Sequence, residues 1–217
     1  METIRDEESG INDEERDILQ EIMNIAFGKA SADLAEFIDI YVTLSIPEID
    51  VIRAENLHIY LKEDIIRFGS IHLVEQTFWG KFKGKALLVF SSNAGKGLVS
   101  ILDTEEVDLT DFENAAELES MTVTEIGNII IGACVGKVAE LLDDMVTYSP
   151  PHVFIATDAN KEIYKGNHDL NSLAIIMKTM FSFQERDDVE GYLFLVLSQD
   201  SIPWLKKALY NFLEQYE

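Results

Sequence analysis

A carboxylate, a carboxamide and a glycine recur together. Glu21, Asn24 and Gly28 return as Glu125, Asn128 and Gly132, each separated by 104 residues, and Pro47 returns as Pro151 at the same offset. Residues three and four apart on a helix are surface neighbours. A Glu/Asn fork therefore sets a charged acceptor beside a side chain that both donates and accepts hydrogen bonds. A glycine one turn further on leaves the helix backbone bare, so a partner can come close. Fork plus bare patch is what a docking surface needs, and its recurrence points to two copies of one surface site.

Either fork alone reads as ordinary solvated helix surface. Recurrence weighs against that reading. Asn is a mediocre helix former, and Gly in a helix interior costs roughly 1 kcal/mol against Ala. The glycines also fit a second role, close helix–helix packing within the chain. With about 100° per residue, Asp17, Glu21, Asn24, Gly28 and Ser31 share one stripe, and Ile18, Leu19, Ile22, Ala26 and Ala30 lie opposite. In the second copy Met121 stands where Asp17 does, and Val135 where Ser31 does.

The elements carrying these stripes can be read from periodicity. A first long helix is expected from Asn12, with Asn12 and Glu15 as a capping box, to between Phe37 and Asp39. Strands are expected at Ile40–Ile46, Leu57–Leu61, Gly69–Trp79 and Gly84–Ser91, with Gly80 and Gly84 marking a turn. A shorter helix follows over Asn93–Leu102. The acidic segment Asp103–Asp111 reads as a connector. A second long helix, with Thr110 and Glu113 as a capping pair, is expected to run to Leu142. Strands at Val146–Tyr148, His152–Ala156, Leu173–Phe183 and Val189–Ser198 come next, with an exposed loop over Thr157–Asp169. A last helix begins near Pro203. The apolar runs after Gly84 and Gly191 correspond at an offset of 107 and are continuous, as strands buried on both faces are. The predicted fold is a single α/β (α+β) domain spanning 1–217. It is a pseudo-twofold repeat of a long helix plus strands, with halves at about 12–102 and 110–217 and two long helices packed on a shared sheet.

Composition narrows the function. The net charge of −23 disfavours nucleic acid and anionic lipid as partners and favours partners with exposed lysine or arginine. The single cysteine, Cys134, rules out a disulfide within the chain and fits a reducing cytoplasm; it reads as a buried small hydrophobe rather than a catalytic thiol. The acidic N-terminus does not resemble a signal peptide, and no apolar run is expected to span or insert into a membrane. His58, His72, His152 and His168 are scattered without metal-ligand spacing and read as strand-surface or loop residues. Gly95-Lys96-Gly97 lacks the rest of a phosphate-binding loop. Trp79, Trp204, Tyr192 and Phe194 read as core or sheet packing.

The spacing resembles the CheC/CheX/FliY family of chemotaxis phosphatases. Their motif is Asp or Ser, three residues, Glu, two residues, Asn, about twenty-two residues, then Pro. Asp17, Glu21, Asn24 and Pro47 fit it in full. Glu125, Asn128 and Pro151 fit a second copy, in which Met121 departs from the first position and Ser120 lies one residue out of register. Two copies in one chain look most like CheC.

The resemblance implies a substrate, the phosphorylated aspartate of a CheY-type receiver. It also implies roles. Asn24 and Asn128 would orient water, Glu21 and Glu125 would pair with the receiver's lysine, and Asp17, Gly28 and Gly132 would serve docking. Pro47 and Pro151 would shape strand ends. The receiver would bring its own Mg2+, with no cofactor held by this chain. Both sites are expected to be competent, the first the stronger because Asp17 is present. A monomer suffices for two sites, and a CheD-type receptor deamidase is a further implied partner. The other reading is a non-catalytic adaptor that binds CheD or phosphorylated CheY, as flagellar-switch relatives do.

Overall fold

The computed structural model describes residues 10–38, 41–91, 94–101, 112–156, 173–184 and 186–216. Helix α1 (Asp13–Ile38) opens on the expected capping box. Asn12 Oδ1 accepts from the Glu15 backbone N–H at 2.8 Å, and Glu15 Oε2 accepts from the Asn12 N–H at 2.9 Å. Two of the helix's unpaired donors are thereby satisfied. Strands β1 (Val42–Leu44) and β2 (Glu48–Arg53) follow, then a 3-10 turn, helix α2 (Leu57–Ile65), β3 (Ile71–Trp79), β4 (Gly84–Ser91) and α3 (Ala94–Ile101). The second series is α4 (Phe112–Leu141), β5 (Thr147–Tyr148), β6 (His152–Ala156), β7 (Leu173–Phe183), β8 (Arg186–Ser198) and α5 (Ile202–Tyr216). The connector at 103–111, the Thr110/Glu113 cap and the loop at 157–169 lie outside the described residues.

All eight strands form one antiparallel sheet, so the α+β description holds. Its order is β1-β7-β8-β4-β3-β5, with β2 also on β7 and β6 also on β3. The early strands β1 and β2 thus pair with the late strand β7, while β5 and β6 pair with the early strand β3. The centre is β4 against β8, where Leu87 faces Phe194, two residues 107 apart. Gly84 and Gly191 flank this seam. A Cβ on Gly84 would run into the Val196 carbonyl, and one on Gly191 into the Val89 carbonyl. Only glycine lets the strands approach so closely there.

One face of the sheet carries α1, α3, α4 and α5 over a core including Leu19, Ile22, Met23, Phe78, Phe90, Ile126, Ile130 and Leu205. The other face is covered by α2 through Leu57, Tyr60, Leu61 and Ile65. As expected, β4 and β8 are buried on both faces over Ala86–Phe90 and Leu193–Leu197. Cys134 is fully buried, and burial pushes its thiol up to about 12, so it packs as an inert hydrophobe.

Several expectations are corrected. Leu57–Leu61 is helix, not strand, because the buried set Leu57, Tyr60, Leu61 and Ile65 has helical spacing. The first expected strand is shorter, and β2 after Pro47 has no counterpart among the expected elements. His72 is buried at 5% exposure on β3, not on a strand surface. Trp79 is half-exposed at the end of β3, where it pairs with Thr147 of β5, so of the core or sheet reading the sheet applies. Glu117–Leu141 is long and apolar enough by composition to cross a membrane, contrary to the sequence reading. Within the fold its residues Val123, Ile126, Ile130, Ile131 and Val138 pack into the core.

Candidate functional site

The first stripe lies where helical geometry predicts. Asp17, Glu21, Asn24 and Gly28 are all exposed, while Ile18, Leu19, Ile22 and Ala26 are buried beneath them. Among the described residues, Asp17, Glu21 and Asn24 form no side-chain ion pair or hydrogen bond. Their polar atoms are available to a partner. Gln20, next to Glu21, reaches back to the strand loop, where its Nε2 donates to the Pro47 carbonyl at 2.6 Å. Pro47 is buried just before β2. It directly precedes β2 rather than closing the expected strand, and is tethered to the helix that carries the Glu/Asn pair.

The second stripe is built on α4. Glu125 is exposed, and Asn128 and Gly132 are half-buried. Met121 stands 63% exposed one turn before Glu125, so the first motif position there is an apolar surface. Neither Gly28 nor Gly132 has any atom within 4 Å of the place a Cβ would take. Close helix–helix packing at these two glycines is thereby excluded among the described residues. Gly28 is exposed and Gly132 half-buried, and no other element among the described residues covers the Cβ position of either.

The loops behind the two stripes make the same bonds. Ser45 and Ser149 are 104 residues apart. The Ser45 N–H donates to the Met180 carbonyl at 2.8 Å, and Ser45 Oγ accepts from the Met180 N–H at 3.0 Å. The Ser149 N–H donates to the Thr77 carbonyl at 2.9 Å, and Ser149 Oγ accepts from the Thr77 N–H at 3.0 Å. The Ser45 carbonyl accepts from Thr179 Oγ1 at 2.7 Å, and the Ser149 carbonyl from Gln76 Nε2 at 2.8 Å. Pro47 and Pro151 each follow two residues later.

Three features near the stripes escaped the sequence reading. Gln76 Nε2 also donates to Asn128 Oδ1 at 2.9 Å. Tyr148 Oη donates to the Gly132 carbonyl at 3.4 Å, and burial pushes its phenol up to about 12. Gly132 and Tyr148 line a groove that continues past the end of α4 to Asp144 and Met145. Among the described residues no group of three His, Cys, Asp or Glu side chains is placed to hold a metal ion.

No family model matches the chain. It is 22% identical over 206 residues to the CheY-P phosphatase CheC of Bacillus subtilis (strain 168), covering 93% of this chain and 96% of that protein. Its structure superposes on FliY of Thermotoga maritima with a TM-score of 0.66 at 19% identity, covering 95% of this chain and 99% of the other. The fold is that of the CheC/CheX/FliY proteins. The FliM middle domain from H. pylori shares it, with a TM-score of 0.56, 12% identity and coverage of 91% and 99%. The chain is thus CheC-like over nearly its whole length and FliY-like in architecture. The FliM middle domain has the same fold at low identity, so the fold by itself assigns no chemistry.

Proposed function

We propose that this chain is a two-site phosphatase that hydrolyses the phosphorylated aspartate of a CheY-type receiver in chemotaxis signalling. The halves at about 12–102 and 110–217 are, on this reading, copies of one unit with one site each. The observation that carries the proposal is the pair of Glu/Asn stripes, each on the outer face of a long helix. Their carboxylates are unpaired among the described residues, and each has a bare glycine one turn on. Similarity to a CheY-P phosphatase over 93% of the chain supports the same reading.

Hydrolysis of an acyl phosphate needs water in line with the leaving carboxylate. The water oxygen bonds to phosphorus as the bond from phosphorus to the aspartate oxygen breaks. The products are a free carboxylate and inorganic phosphate, which keeps both protons of the water. Asn24 and Asn128 would orient that water, a positioning role that a carboxamide fills without acting as a strong base. Glu21 and Glu125 would dock the receiver's lysine through charge-assisted hydrogen bonds. Asp17 would add to docking at the first site. The receiver's own Mg2+ would offset charge on the phosphoryl oxygens. The reading places the protein in the cytoplasm, without membrane insertion or nucleic acid, and a monomer provides both sites.

A second reading is a non-catalytic adaptor that binds phosphorylated CheY or a CheD-type deamidase. The fold shared with the FliM middle domain is the observation in its favour. Decay of a phosphorylated CheY-type receiver with Mg2+, measured with and without the protein, separates the two. Faster decay supports the phosphatase; saturable binding of the phosphorylated receiver without faster decay supports the adaptor.

A further inference from the structure

The two Glu/Asn pairs differ in what stands behind them. Gln76 on β3 is 3% exposed. Its Nε2 donates one hydrogen to the Ser149 carbonyl and the other to Asn128 Oδ1. The carbonyl fixes the orientation of the Gln76 amide, because only the NH2 end can donate to it. The second hydrogen then requires an acceptor, so Asn128 turns its oxygen toward Gln76 and leaves its Nδ2 hydrogens for a ligand. At the first site Thr179 makes the matching bond to the Ser45 carbonyl. Its side chain ends there, and among the described residues the Asn24 carboxamide has no hydrogen bond.

The bond to the Ser149 carbonyl does not by itself account for Gln76. Its Oε1 is buried without a hydrogen-bond partner among the described residues, and such an orphaned acceptor weakens a fold. A threonine makes the carbonyl bond with no orphan, as Thr179 does. What the longer side chain adds is its grip on Asn128. Departures from local rules of this kind concentrate at functional sites.

We infer that Gln76 is a positioning residue that holds the Asn128 carboxamide through the Nε2–Oδ1 bond and makes the second site the preorganised one. The inference rests on the phosphatase reading. A carboxamide already held in place loses less freedom when it aligns water. Asn24 has to be ordered at each encounter. The two sites then divide the work. Asp17 favours docking at the first, and Gln76 favours turnover at the second, so the order expected from Asp17 alone holds for KM and reverses for kcat.

The test is Gln76→Thr, which copies the first site's arrangement, in the full chain. It is made in a chain with only the second site (Glu21→Ala/Asn24→Ala) and in one with only the first (Glu125→Ala/Asn128→Ala). The probe is a phosphorylated CheY-type receiver with Mg2+. With only the second site, kcat falls about tenfold while KM stays within about twofold. With only the first site, neither changes. Tm is held or raised, and the side-chain amide order parameter of Asn128 drops from a rigid value to that of Asn24.

Unchanged kcat with only the second site, or an equal fall in both chains, overturns the inference. So does a wild-type Asn128 amide as mobile as that of Asn24. A wild-type chain that never accelerates decay overturns the phosphatase reading and the kinetic role of Gln76. In that case the order parameters still decide whether Gln76 grips Asn128.

Discussion

Asp33 and Lys137 lie 104 residues apart in sequence and 2.9 Å apart in space, Oδ2 against Nζ. One lies on α1 and the other on α4, the helices that carry the two stripes. On the proposed repeat these two are counterparts, and counterparts touch each other only beside the axis that relates them. In the sheet below, Leu87 and Phe194 face each other in the same way at the centre of β4 and β8. These two pairs mark where the proposed pseudo-twofold axis crosses each layer.

The Asp33–Lys137 pair sets up a charge-reversal cycle. Lys137 also meets Glu140 at 3.3 Å, and these two carboxylates hold its ammonium above the ordinary lysine range. A raised lysine pKa contributes stability that is full below the unfolded value and lost as alkaline pH passes the folded one. Near neutral pH, Asp33→Lys or Lys137→Asp alone is expected to destabilise by roughly 0.2–1 kcal/mol, and the double reversal to recover part of that loss. Urea unfolding of the four proteins measures the coupling.

His72 gives an acid-side prediction. It is buried on β3 beside α3, with Glu119 of α4 nearby, and its Nδ1 has no hydrogen-bond partner among the described residues. Burial lowers its pKa, only partly opposed by the Glu119 charge. A histidine whose folded pKa is depressed leaves the unfolded state binding more protons. Its stabilising neutral form is complete above pH ~6.5 and is lost as pH falls through that value toward the folded pKa. His72→Gln should flatten the fall in Tm as pH drops below about 6.5, measured by thermal melts against wild type.

The glycines separate into two kinds. Gly84→Ala or Gly191→Ala drives a Cβ into a strand carbonyl and should cost about 2 kcal/mol or more. Gly28→Ala and Gly132→Ala meet open space and should stabilise by roughly 0.5–1 kcal/mol. If the bare patches admit a receiver, these stabilised variants bind it more weakly. A melt and a titration on the same samples show whether the two effects run in opposite directions.

Met121 offers a gain of function. Met121→Asp restores at the second site the carboxylate that Asp17 supplies at the first. In a chain lacking the first Glu/Asn pair, KM for a phosphorylated receiver should fall about two- to fivefold at low salt, the scale of one exposed ion pair. High salt should erase the gain.

Much of this architecture was legible in advance, for physical reasons particular to each part. The Asn12/Glu15 box is local chemistry, and the bounds of β4, β6 and β7 follow from apolar runs closed by Gly, Pro or polar residues. The stripe positions follow from helical geometry alone. Leu57–Leu61 misled because Leu57, Ile59 and Leu61 alternate like a strand, while the deciding buried residue, Ile65, lies beyond that window. Strand β2 has only two alternating apolar positions, Ile49 and Val51, before Ile52. Its offset of 104 from β6 was the signal that could have found it. Gln76 was invisible for another reason. It meets Asn128 only because β3 passes under α4, a contact between residues 52 apart that no periodicity encodes.

The decisive measurement is single-turnover decay of a phosphorylated CheY-type receiver with Mg2+. The proteins compared are wild type, Glu21→Ala/Asn24→Ala, Glu125→Ala/Asn128→Ala and the fourfold variant, all confirmed folded. A two-site phosphatase accelerates decay as wild type, keeps partial acceleration in each double variant and loses it in the fourfold variant. Acceleration that survives in the fourfold variant, or none in wild type, would contradict the two-site reading.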